Sequence, residues 1–381
     1  MDSETTVLAE RDDLRVVGGY PGANATDVTM EDDRTVTLAP DPRDAGHEWF
    51  FYWNVTVESD AERTVDVSFD REVVGPWGPA VSRDRRTWSW LGSDAADDHR
   101  GFRYEFGAGE RTAFAFSVPY VRADFERWWT SVEQHERVHR QTLTTTANGR
   151  PVPLVQIGDL TADTHVLGAC RHHACESPAS YALEGWLGAL AADPPSEWCA
   201  HVVPLVDLDG VYRGDQGKSR LPHDHNRDYG RSNGVLDDIE PLYPTTAAIK
   251  RYVRNIDGEV ALALDFHSPY KWGDPHDRVF FACSPEDATA ADRRFARFLD
   301  EACDRTDDAM AFAADAGFAE PGGRSAGTTF TAFLDRAGAT SSRTLEVPYF
   351  GTEGNRATPD RWRGLGRATD RATRQFVAPI E

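Results

Sequence analysis

Short runs in which apolar and polar residues alternate occupy roughly the first 120 positions of the chain. Five of them, separated by Gly, Pro and Asp, are RTVTLAP, EWFFYWNVTVES, RTVDVSFD, GFRYEFG and RTAFAFSVPY. Successive side chains of a β-strand point to opposite faces, so this pattern predicts strands. No helical period of useful length interrupts it. Residues 1–122 are therefore expected to form an all-β domain, a sandwich.

The pattern changes after residue 122. Residues 124–143, DFERWWTSVEQHERVHRQTL, are interpreted as one helix that leads into a second domain. From residue 151 onward, compact apolar runs predict strands: PVPLVQIGDL, THVLGACR, AHVVPLVDL, VALALDFHS, RVFFACSP and SSRTLEVPY. Helical stretches alternate with them: SPASYALEGWLGALAAD, TTAAIKRYVRNI, PEDATAADRRFARFLDEACD and TPDRWRGLGRATDRATRQF. This alternation predicts an α/β domain over residues 123–381, with a mixed, mostly parallel sheet flanked by helices.

The charge of the chain narrows its partners and its surroundings. The 41 basic and 63 acidic residues give a formal net charge of -22, which repels nucleic acid and anionic membranes. Forty of the acids are Asp, and the only lysines are Lys218, Lys250 and Lys271. Such a surface is typical of a salt-loaded cytosol, where the Debye length falls to ~3 Å at 1 M salt. The alternative is an ordinary acidic protein.

Three further features favour the cytoplasm. No stretch approaches the ~18 apolar residues of a membrane span. The acidic start, MDSETTVLAERDD, lacks the apolar segment of a signal peptide. The five cysteines are odd in number and show no CxxC spacing, so reduced thiols are expected; they are Cys170, Cys175, Cys199, Cys283 and Cys303.

One short segment, CRHHACESPASY, combines two adjacent histidines with a glutamate. A strand is expected to end just before it, with Ser177 as helix N-cap and Pro178 as the first helical residue. The loop between them can present either His172 or His173, together with Glu176, to a metal. A zinc site needs a third protein ligand, so this segment alone is also compatible with a plain surface loop.

Two later strands end in residues that complete such a site. The run VALALDFHS brings His267 to a strand end, and SSRTLEVPY does the same for Glu346. Chemistry in α/β sheets collects at the carboxyl ends of strands. Taken singly, His267 could be a core residue and Glu346 a surface one. Asp265, two positions before His267 and on the same strand face, could orient that histidine.

The order of these features resembles the zinc carboxypeptidase family. A His-Glu pair, an Asp209-Gly210 turn, Asn226-Arg227, a strand-end histidine and a strand-end glutamate follow one another. The resemblance is to the cytosolic-carboxypeptidase-like branch, in which a β-sandwich precedes the catalytic domain. It covers nearly the whole chain, including the segments VGGYPGANATDV, FFYWNVTV, GPWGPAVSRDRRTWSWLG and FAFSVPYVRADFERW.

The resemblance implies a role for each residue of the motif. The H-x-x-E register selects His173 and Glu176, with His267 as the third ligand of one Zn²⁺ per chain. His172 then becomes a neighbour of the metal site. Glu346 would take a proton from the water that zinc activates and carry it to the leaving amine. Asn226 and Arg227 would hold the terminal carboxylate of the substrate, which suits the guanidinium fork.

The chain departs from the family pattern at several positions. Gly217 occupies the usual slot of the arginine that stabilises the oxyanion; Lys218 and Arg220 lie beside it, and Lys218 is the candidate for this substrate contact. His225 replaces a leucine and is expected to pack or to face solvent; contact with metal or substrate is the alternative. Cys175 replaces a glycine and is expected to pack under the loop; as a fourth zinc ligand, the alternative, it would close the site to water.

The substrate pocket is harder to align. The segment before Glu346 has no tyrosine to present to substrate. Within the predicted pocket floor, residues 322–343, Arg324 or Arg343 would favour an acidic side chain at the substrate C-terminus.

The expected activity is zinc-dependent hydrolysis of the C-terminal peptide bond of a peptide or protein. A zinc amidohydrolase that deacylates N-acyl amino acids is the alternative enzyme. A binding module on an inactive scaffold is the non-enzymatic alternative, supported only by the missing arginine.

Overall fold

The computed structural model describes residues 5–44, 49–230, 241–320 and 328–378. The chain divides into two compact units. The first comprises Met1–Val121 and Gly210–Leu221, and the second comprises Arg122–Asp209 and Pro222–Glu381. The boundary predicted between residues 122 and 123 assigned residues 210–221 to the second domain. Nothing in the hydrophobic pattern indicates that this segment groups with the first unit instead.

The regular secondary structure of the first unit is mostly β-strand. Its strands are β1 (Thr6–Arg11), β2 (Leu14–Gly18), β3 (Thr26–Met30), β4 (Thr35–Ala39), β5 (Asn54–Ser59), β6 (Arg63–Ser68), β7 (Ala80–Ser82), β8 (Ser89–Trp90), β9 (Ala96–Asp97), β10 (Gly101–Phe106) and β11 (Glu110–Ala115). They form a six-stranded sheet, β1-β2-β5-β11-β7-β8, and a five-stranded sheet, β3-β4-β6-β10-β9. The five predicted runs contain β4, β5, β6, β10 and β11, so the all-β character is as predicted.

Aromatic side chains join the two sheets of the first unit. Phe102 of β10 contacts Phe114 of β11, with ring centroids 4.9 Å apart, although the two strands belong to different sheets. Trp53 stacks on Phe102 at 6.0 Å and donates its indole N–H to the carbonyl of Val73 at 2.8 Å. The apolar faces that the alternation predicted are therefore buried against each other.

Polar contacts of the 210–221 segment explain why it groups with the first unit. The carboxylate of Asp44 accepts hydrogen bonds from the backbone N–H groups of Gln216 at 3.2 Å and Gly217 at 2.7 Å. The guanidinium of Arg220 pairs with Asp44 at 3.3 Å and with Asp215 at 2.9 Å. Gly217 has a φ of 80°, a left-handed conformation that glycine adopts readily. The charge of Arg220 is thus neutralised inside this unit.

The second unit is an eight-stranded sheet with helices. Its strands are β12 (Val138–Thr145), β13 (Pro151–Gly158), β14 (Thr164–Cys170), β15 (Cys199–Val203), β16 (Glu259–His267), β17 (Phe280–Ala282), β18 (Phe318–Ala319) and β19 (Ser342–Glu346), followed by the hairpin β20 (Gly351–Thr352) and β21 (Asn355–Arg356). The helices of the chain are α1 (Arg122–Val132), α2 (Ser177–Ala192), α3 (Leu208–Arg213), α4 (Pro244–Arg254), α5 (Ala290–Asp304), α6 (Phe330–Arg336) and α7 (Pro359–Val377). Single 3-10 turns occupy Ser93–Ala95, His225–Arg227 and Ala314–Ala316. None of the helices in the described ranges is long and apolar enough to cross a membrane.

The large sheet is mixed, as predicted. Its order is β12-β13-β15-β14-β16-β19-β17-β18. Four of the seven pairings are parallel, including all three that join β15, β14, β16 and β19. The antiparallel pairings lie toward the two edges. The central strands therefore end at the same edge of the sheet, where α/β proteins carry their chemistry.

The predicted helix over residues 124–143 is wrong in its second half. Helix α1 ends at Val132, and β12 pairs antiparallel with β13 from Val138 onward. Residues 142–146, TLTTT, which overlap the end of the segment, are rich in threonine, which favours strands, and strand pairing satisfies the backbone of β12. Arg140 of β12 then reaches back to Glu126 of α1 at 2.6 Å.

Helix α2 is buried nearly all round, with 12 of its 16 residues inside the protein. Glycines allow its close contact with α7: a Cβ added to Gly366 would lie 2.0 Å from the carbonyl oxygen of Ala182. A Cβ on Gly185 would lie 2.1 Å from the carbonyl oxygen of Arg363. This packing fixes the helix whose first turn follows the His-Glu motif.

Candidate active site

Three neighbouring parallel strands bring the predicted site residues to one sheet edge. His173 and Glu176 lie in the loop that follows β14, His267 is the last residue of β16, and Glu346 is the last residue of β19. The Cα atoms of His267 and Glu346 are register partners across the β16–β19 pair. The strand order β14-β16-β19 therefore places the two loop residues on one side of His267 and Glu346 on the other.

Two imidazoles and one carboxylate converge at this edge of the sheet. The Nδ1 atom of His173 lies 2.8 Å from Oε1 of Glu176, and the Nδ1 atom of His267 lies 2.8 Å from Oε2 of the same carboxylate. One ligand atom from each of the three residues lies within 4.8 Å of the others. Two histidines and a glutamate are a donor set that catalytic zinc sites use, with the fourth position left open.

A strained turn shapes the loop that carries this set. Arg171, directly after β14, has a φ of 63°, which is unusual for a residue with a side chain. Its backbone carbonyl accepts the N–H of Asp207 at 2.9 Å. Its buried guanidinium donates to the carbonyl of Ala174 at 3.1 Å and to Oγ of Ser180 at 3.1 Å. The arginine therefore holds the loop from both sides of His172 and His173.

The start of helix α2 differs from the prediction. Glu176 rather than Ser177 is the N-cap residue, and no side chain caps the helix there. The carboxylate of Glu176 faces the two histidines, so it does not fold back onto the backbone. Pro178 lies in the first turn, as predicted.

The two adjacent histidines have different surroundings. His172 is fully buried; its Nδ1 lies 2.8 Å from Oδ1 of Asp265 and its Nε2 lies 2.8 Å from the hydroxyl of Tyr229. Atoms of His172, Asp265 and His267 also come close enough to hold a metal. The carboxylate of Glu176 contacts His173 and His267, which is the arrangement that the H-x-x-E register implies. The choice between the two histidines stays a prediction.

Each candidate imidazole ligand has a second carboxylate behind it. Oδ2 of Asp265 lies 2.8 Å from Nε2 of His267, and Oδ1 of Asp224 lies 3.6 Å from Nε2 of His173. A carboxylate on the outer nitrogen orients the ring and turns the inner nitrogen toward a metal. Both Nδ1 atoms accordingly face the Glu176 carboxylate.

The electrostatics of this cluster suit a cation. Burial would raise the pKa of the Asp265 carboxyl, but His172 and His267 hold it well below its usual range. Burial would lower the pKa of His267, but Asp265 and Glu176 raise it well above its usual value. The pKa of Asp224 is likewise depressed by His173 against the effect of burial. The buried carboxylates of Glu176, Asp265 and Asp224 thus stabilise positive charge at the imidazoles that they face.

Asn226 and Arg227 lie on the 3-10 turn beside this cluster. Oδ1 of Asn226 accepts the backbone N–H of Phe330 at 3.0 Å, and its Nδ2 lies 3.1 Å from Nε2 of His267. The half-buried guanidinium of Arg227 contacts the carbonyl oxygen of Asn226 at 3.4 Å. Among the residues that the structure describes, no carboxylate lies within ion-pair distance of Arg227.

Packing accounts for two of the departures from the family pattern. The ring of His225 stacks on Tyr243, with centroids 3.7 Å apart, and its Nε2 lies 3.8 Å from Oδ1 of Asp207. The buried thiol of Cys175 lies 3.5 Å from the hydroxyl of Tyr349. Neither residue belongs to the two groups of possible metal ligands found in the described ranges.

The three residues predicted to contact substrate side chains or the oxyanion have different positions in the structure. Arg343 pairs with Asp292 and with Asp335, so its charge is already neutralised by the protein. Arg324 lies outside the described residues. Lys218 is half-buried in the 210–221 segment, which groups with the first unit. Its contact with substrate stays a prediction.

Two features of the site escaped the sequence interpretation. Tyr229 carries no sequence signal of its own, because it meets His172 only through the fold. The bridging position of Asp265, which contacts two histidines at once, also depends on the fold. Its spacing from His267 was a usable signal for half of that arrangement.

Comparison with known proteins assigns the fold. The structure matches a metallo-carboxypeptidase from Burkholderia cenocepacia with a TM-score of 0.76 and 18% sequence identity, covering 96% of this chain and 99% of that one. It matches a metallo-carboxypeptidase from Pseudomonas aeruginosa, in complex with (2-guanidinoethylmercapto)succinic acid, with a TM-score of 0.76 and 18% identity, covering 95% and 98%. The chain has the metallo-carboxypeptidase fold.

A curated relative points in the same direction. Cytosolic carboxypeptidase 6 of Caenorhabditis elegans is 24% identical over 263 residues, which cover 61% of this chain and 56% of the relative. The chain thus spans little more than half the length of that protein. No protein-family model matches the sequence. The relative and the structural neighbours are named carboxypeptidases, which are hydrolases.

Proposed function

We propose that this protein is a zinc-dependent metallocarboxypeptidase that removes the C-terminal residue of a peptide or protein. The observation that carries the proposal is the convergence of His173, Glu176 and His267 at the strand edge where Glu346 is the register partner of His267. These three residues would hold one Zn²⁺ per chain. When bound, zinc acidifies a water and polarises the scissile carbonyl.

The chain's own residues would divide the remaining work. Glu346 accepts a proton from the attacking water and passes it to the leaving amine. This proton transfer requires a carboxylate next to the metal ligands. Asn226 is already anchored beside His267 and Arg227 follows it, so both are placed near the cluster. The guanidinium of Arg227 pairs with the terminal carboxylate of the substrate. Lys218 remains the candidate for the oxyanion contact on sequence grounds alone.

A direct assay tests the activity. The purified protein is loaded with zinc and incubated in molar salt with a library of peptides that differ in their C-terminal residue, and the products are identified by mass spectrometry. We expect loss of single C-terminal residues. Small N-acyl amino acids are assayed in parallel, because hydrolysis confined to them would replace this proposal by the deacylase alternative. No hydrolysis of either class would leave the binding-module alternative.

Arg227→Ala is expected to impair only substrates with a free terminal carboxylate. Truncating one partner of a desolvated charge pair costs roughly 2–5 kcal/mol, or about 30- to 4,000-fold in kcat/KM. C-terminally amidated peptides lack the charge, so their slow cleavage should change little. The exposed Arg251→Ala on α4 is the matched control. Equal losses on free and amidated peptides would show that Arg227 does not recognise the carboxylate.

We further propose that the protein is adapted to a cytoplasm rich in salt. The net charge of -22 and the scarcity of lysine support this. The melting temperature should rise as KCl increases from 0.1 to 3 M, because screening weakens the repulsion among carboxylates. Sucrose at matched osmolality controls for effects without screening. A melting temperature that does not change with KCl would refute the proposal.

A further inference from the structure

A chain of buried hydrogen bonds stands behind one of the candidate metal ligands. It links the hydroxyl of Tyr229 to Nε2 of His172 at 2.8 Å, Nδ1 of His172 to Oδ1 of Asp265 at 2.8 Å, and Oδ2 of Asp265 to Nε2 of His267 at 2.8 Å. The rings of His172 and His267 are nearly parallel, with an interplanar angle of 2° and centroids 5.7 Å apart. The carboxylate of Asp265 thus bridges two imidazoles.

The direction of each hydrogen bond follows from the chemistry of the groups. A carboxylate only accepts, so His172 must donate from Nδ1 and His267 must donate from Nε2. A neutral His172 then has a lone pair on Nε2, which accepts the hydroxyl of Tyr229. Nδ2 of Asn226 lies 3.1 Å from Nε2 of His267, but an amide nitrogen cannot accept a hydrogen bond, so Asp265 is the acceptor for the Nε2 proton.

We propose that His172 and Asp265, here called the histidine relay, are positioning residues that fix the tautomer and ring orientation of His267; the hydroxyl of Tyr229 bonds the far nitrogen of His172 and lies outside the relay. With its proton held on Nε2, His267 presents the lone pair of Nδ1 to the carboxylate-lined metal position. This is the role of the second histidine in the CRHHACE segment: it binds no metal and sets the geometry of a residue that does. The inference rests on the proposed function in taking His267 as a zinc ligand.

The surroundings of the relay argue for a task beyond filling space. The side chains of His172, Asp265 and Tyr229 are all completely buried, and burying such polar groups is costly unless every partner is in place. The ring of Phe330 contacts both His172 and Tyr229, with centroids 5.6 Å from each. The backbone N–H of Tyr229 donates to the carbonyl of Thr328 at 3.0 Å. The relay is therefore held rigidly between β16 and the start of α6.

Two isosteric substitutions at His172 separate positioning from packing. Asparagine places its amide nitrogen near the position of Nδ1, so His172→Asn keeps the donor to Asp265 and loses the contact with Tyr229. Glutamine reaches the position of Nε2, so His172→Gln keeps the contact with Tyr229 and loses the donor to Asp265. The measurement is the Zn²⁺ dissociation constant by chelator competition, together with the melting temperature of the zinc-free protein.

We expect His172→Gln and Asp265→Asn to weaken zinc binding by about 10- to 100-fold, the usual effect of removing a group that orients a ligand. His172→Asn should stay within about threefold of the unsubstituted protein. Tyr229→Phe is the matched control, because it removes a buried hydrogen bond without touching Asp265, and it too should stay within about threefold. If Asp265→Asn does not fold, the two His172 variants still decide the question.

Equal zinc affinities for His172→Asn and His172→Gln would overturn the relay, as would affinities that follow the melting temperature rather than the contact with Asp265. The unsubstituted protein is first tested for zinc stoichiometry and for C-terminal peptide cleavage. Tight zinc binding without cleavage would contradict the proposed function but not the proposal on the histidine relay. Cleavage with unchanged zinc affinity in both His172→Gln and Asp265→Asn would overturn the relay alone. Absence of zinc binding would overturn both.

Discussion

Replacing Glu346 by glutamine is expected to lower turnover of C-terminal peptides by roughly 10²–10⁴-fold, the usual contribution of a positioned acid–base group. The substitution keeps the size of the side chain and removes its ability to accept a proton. Zinc binding should survive, because His173, Glu176 and His267 are untouched. Substrate binding should survive as well, since Asn226 and Arg227 still meet the terminal carboxylate. The change should therefore appear in kcat and leave zinc stoichiometry unaltered.

Glu353→Gln is the control for this variant. It makes the same chemical change at an exposed glutamate between the short strands β20 and β21. Its turnover should equal that of the unsubstituted protein. Near-normal turnover of Glu346→Gln on every accepted substrate would mean that this glutamate is not the base, and the carboxypeptidase mechanism would not apply to the chain. Loss of zinc together with turnover would indicate a structural role instead.

Local pattern was enough to predict most of the second unit. The runs that became β14 and β16 are rich in apolar residues because both faces of a central parallel strand are covered. The helix predicted over residues 124–143 is wrong in its second half, because the structure there depends on a partner strand and not on local pattern. Its C-terminal half becomes β12 only because β13 offers a backbone to pair with, and no local signal reports that partner.

The residues of the candidate site also fall into two groups: those that the local pattern predicts and those that only the fold brings together. Four of its residues, His173, Glu176, His267 and Glu346, end or follow central strands, so their convergence could be expected from strand order alone. Tyr229 and Asp265 are separated from His172 by 57 and 93 positions, and their contacts exist only in the folded chain. The contact between Asp44 and Gly217 spans 173 positions. The grouping of residues 210–221 with the first unit therefore could not be predicted from the local sequence.

Replacing His267 by alanine should abolish stoichiometric zinc binding at neutral pH. Catalytic zinc sites are held by three protein ligands, and this variant leaves only His173 and Glu176. It also removes one partner from each of two buried carboxylates, Glu176 and Asp265, so the remaining ligand Glu176 is held less firmly. Metal content after dialysis, measured by atomic emission, should fall from one zinc per chain to nearly none. Peptide cleavage should disappear with it.

A second pair of variants tests the register of the motif itself. His173→Ala should behave like His267→Ala, whereas His172→Ala should bind zinc more weakly without losing the site. His201→Ala controls for the removal of a buried histidine, because the ring of His201 contacts Tyr252 and His165 and belongs to neither group of possible ligands in the described ranges. It should keep one zinc per chain. If His172→Ala removes the zinc and His173→Ala spares it, then His172 is the ligand, and Asp265 would have to be reconsidered as part of the metal site.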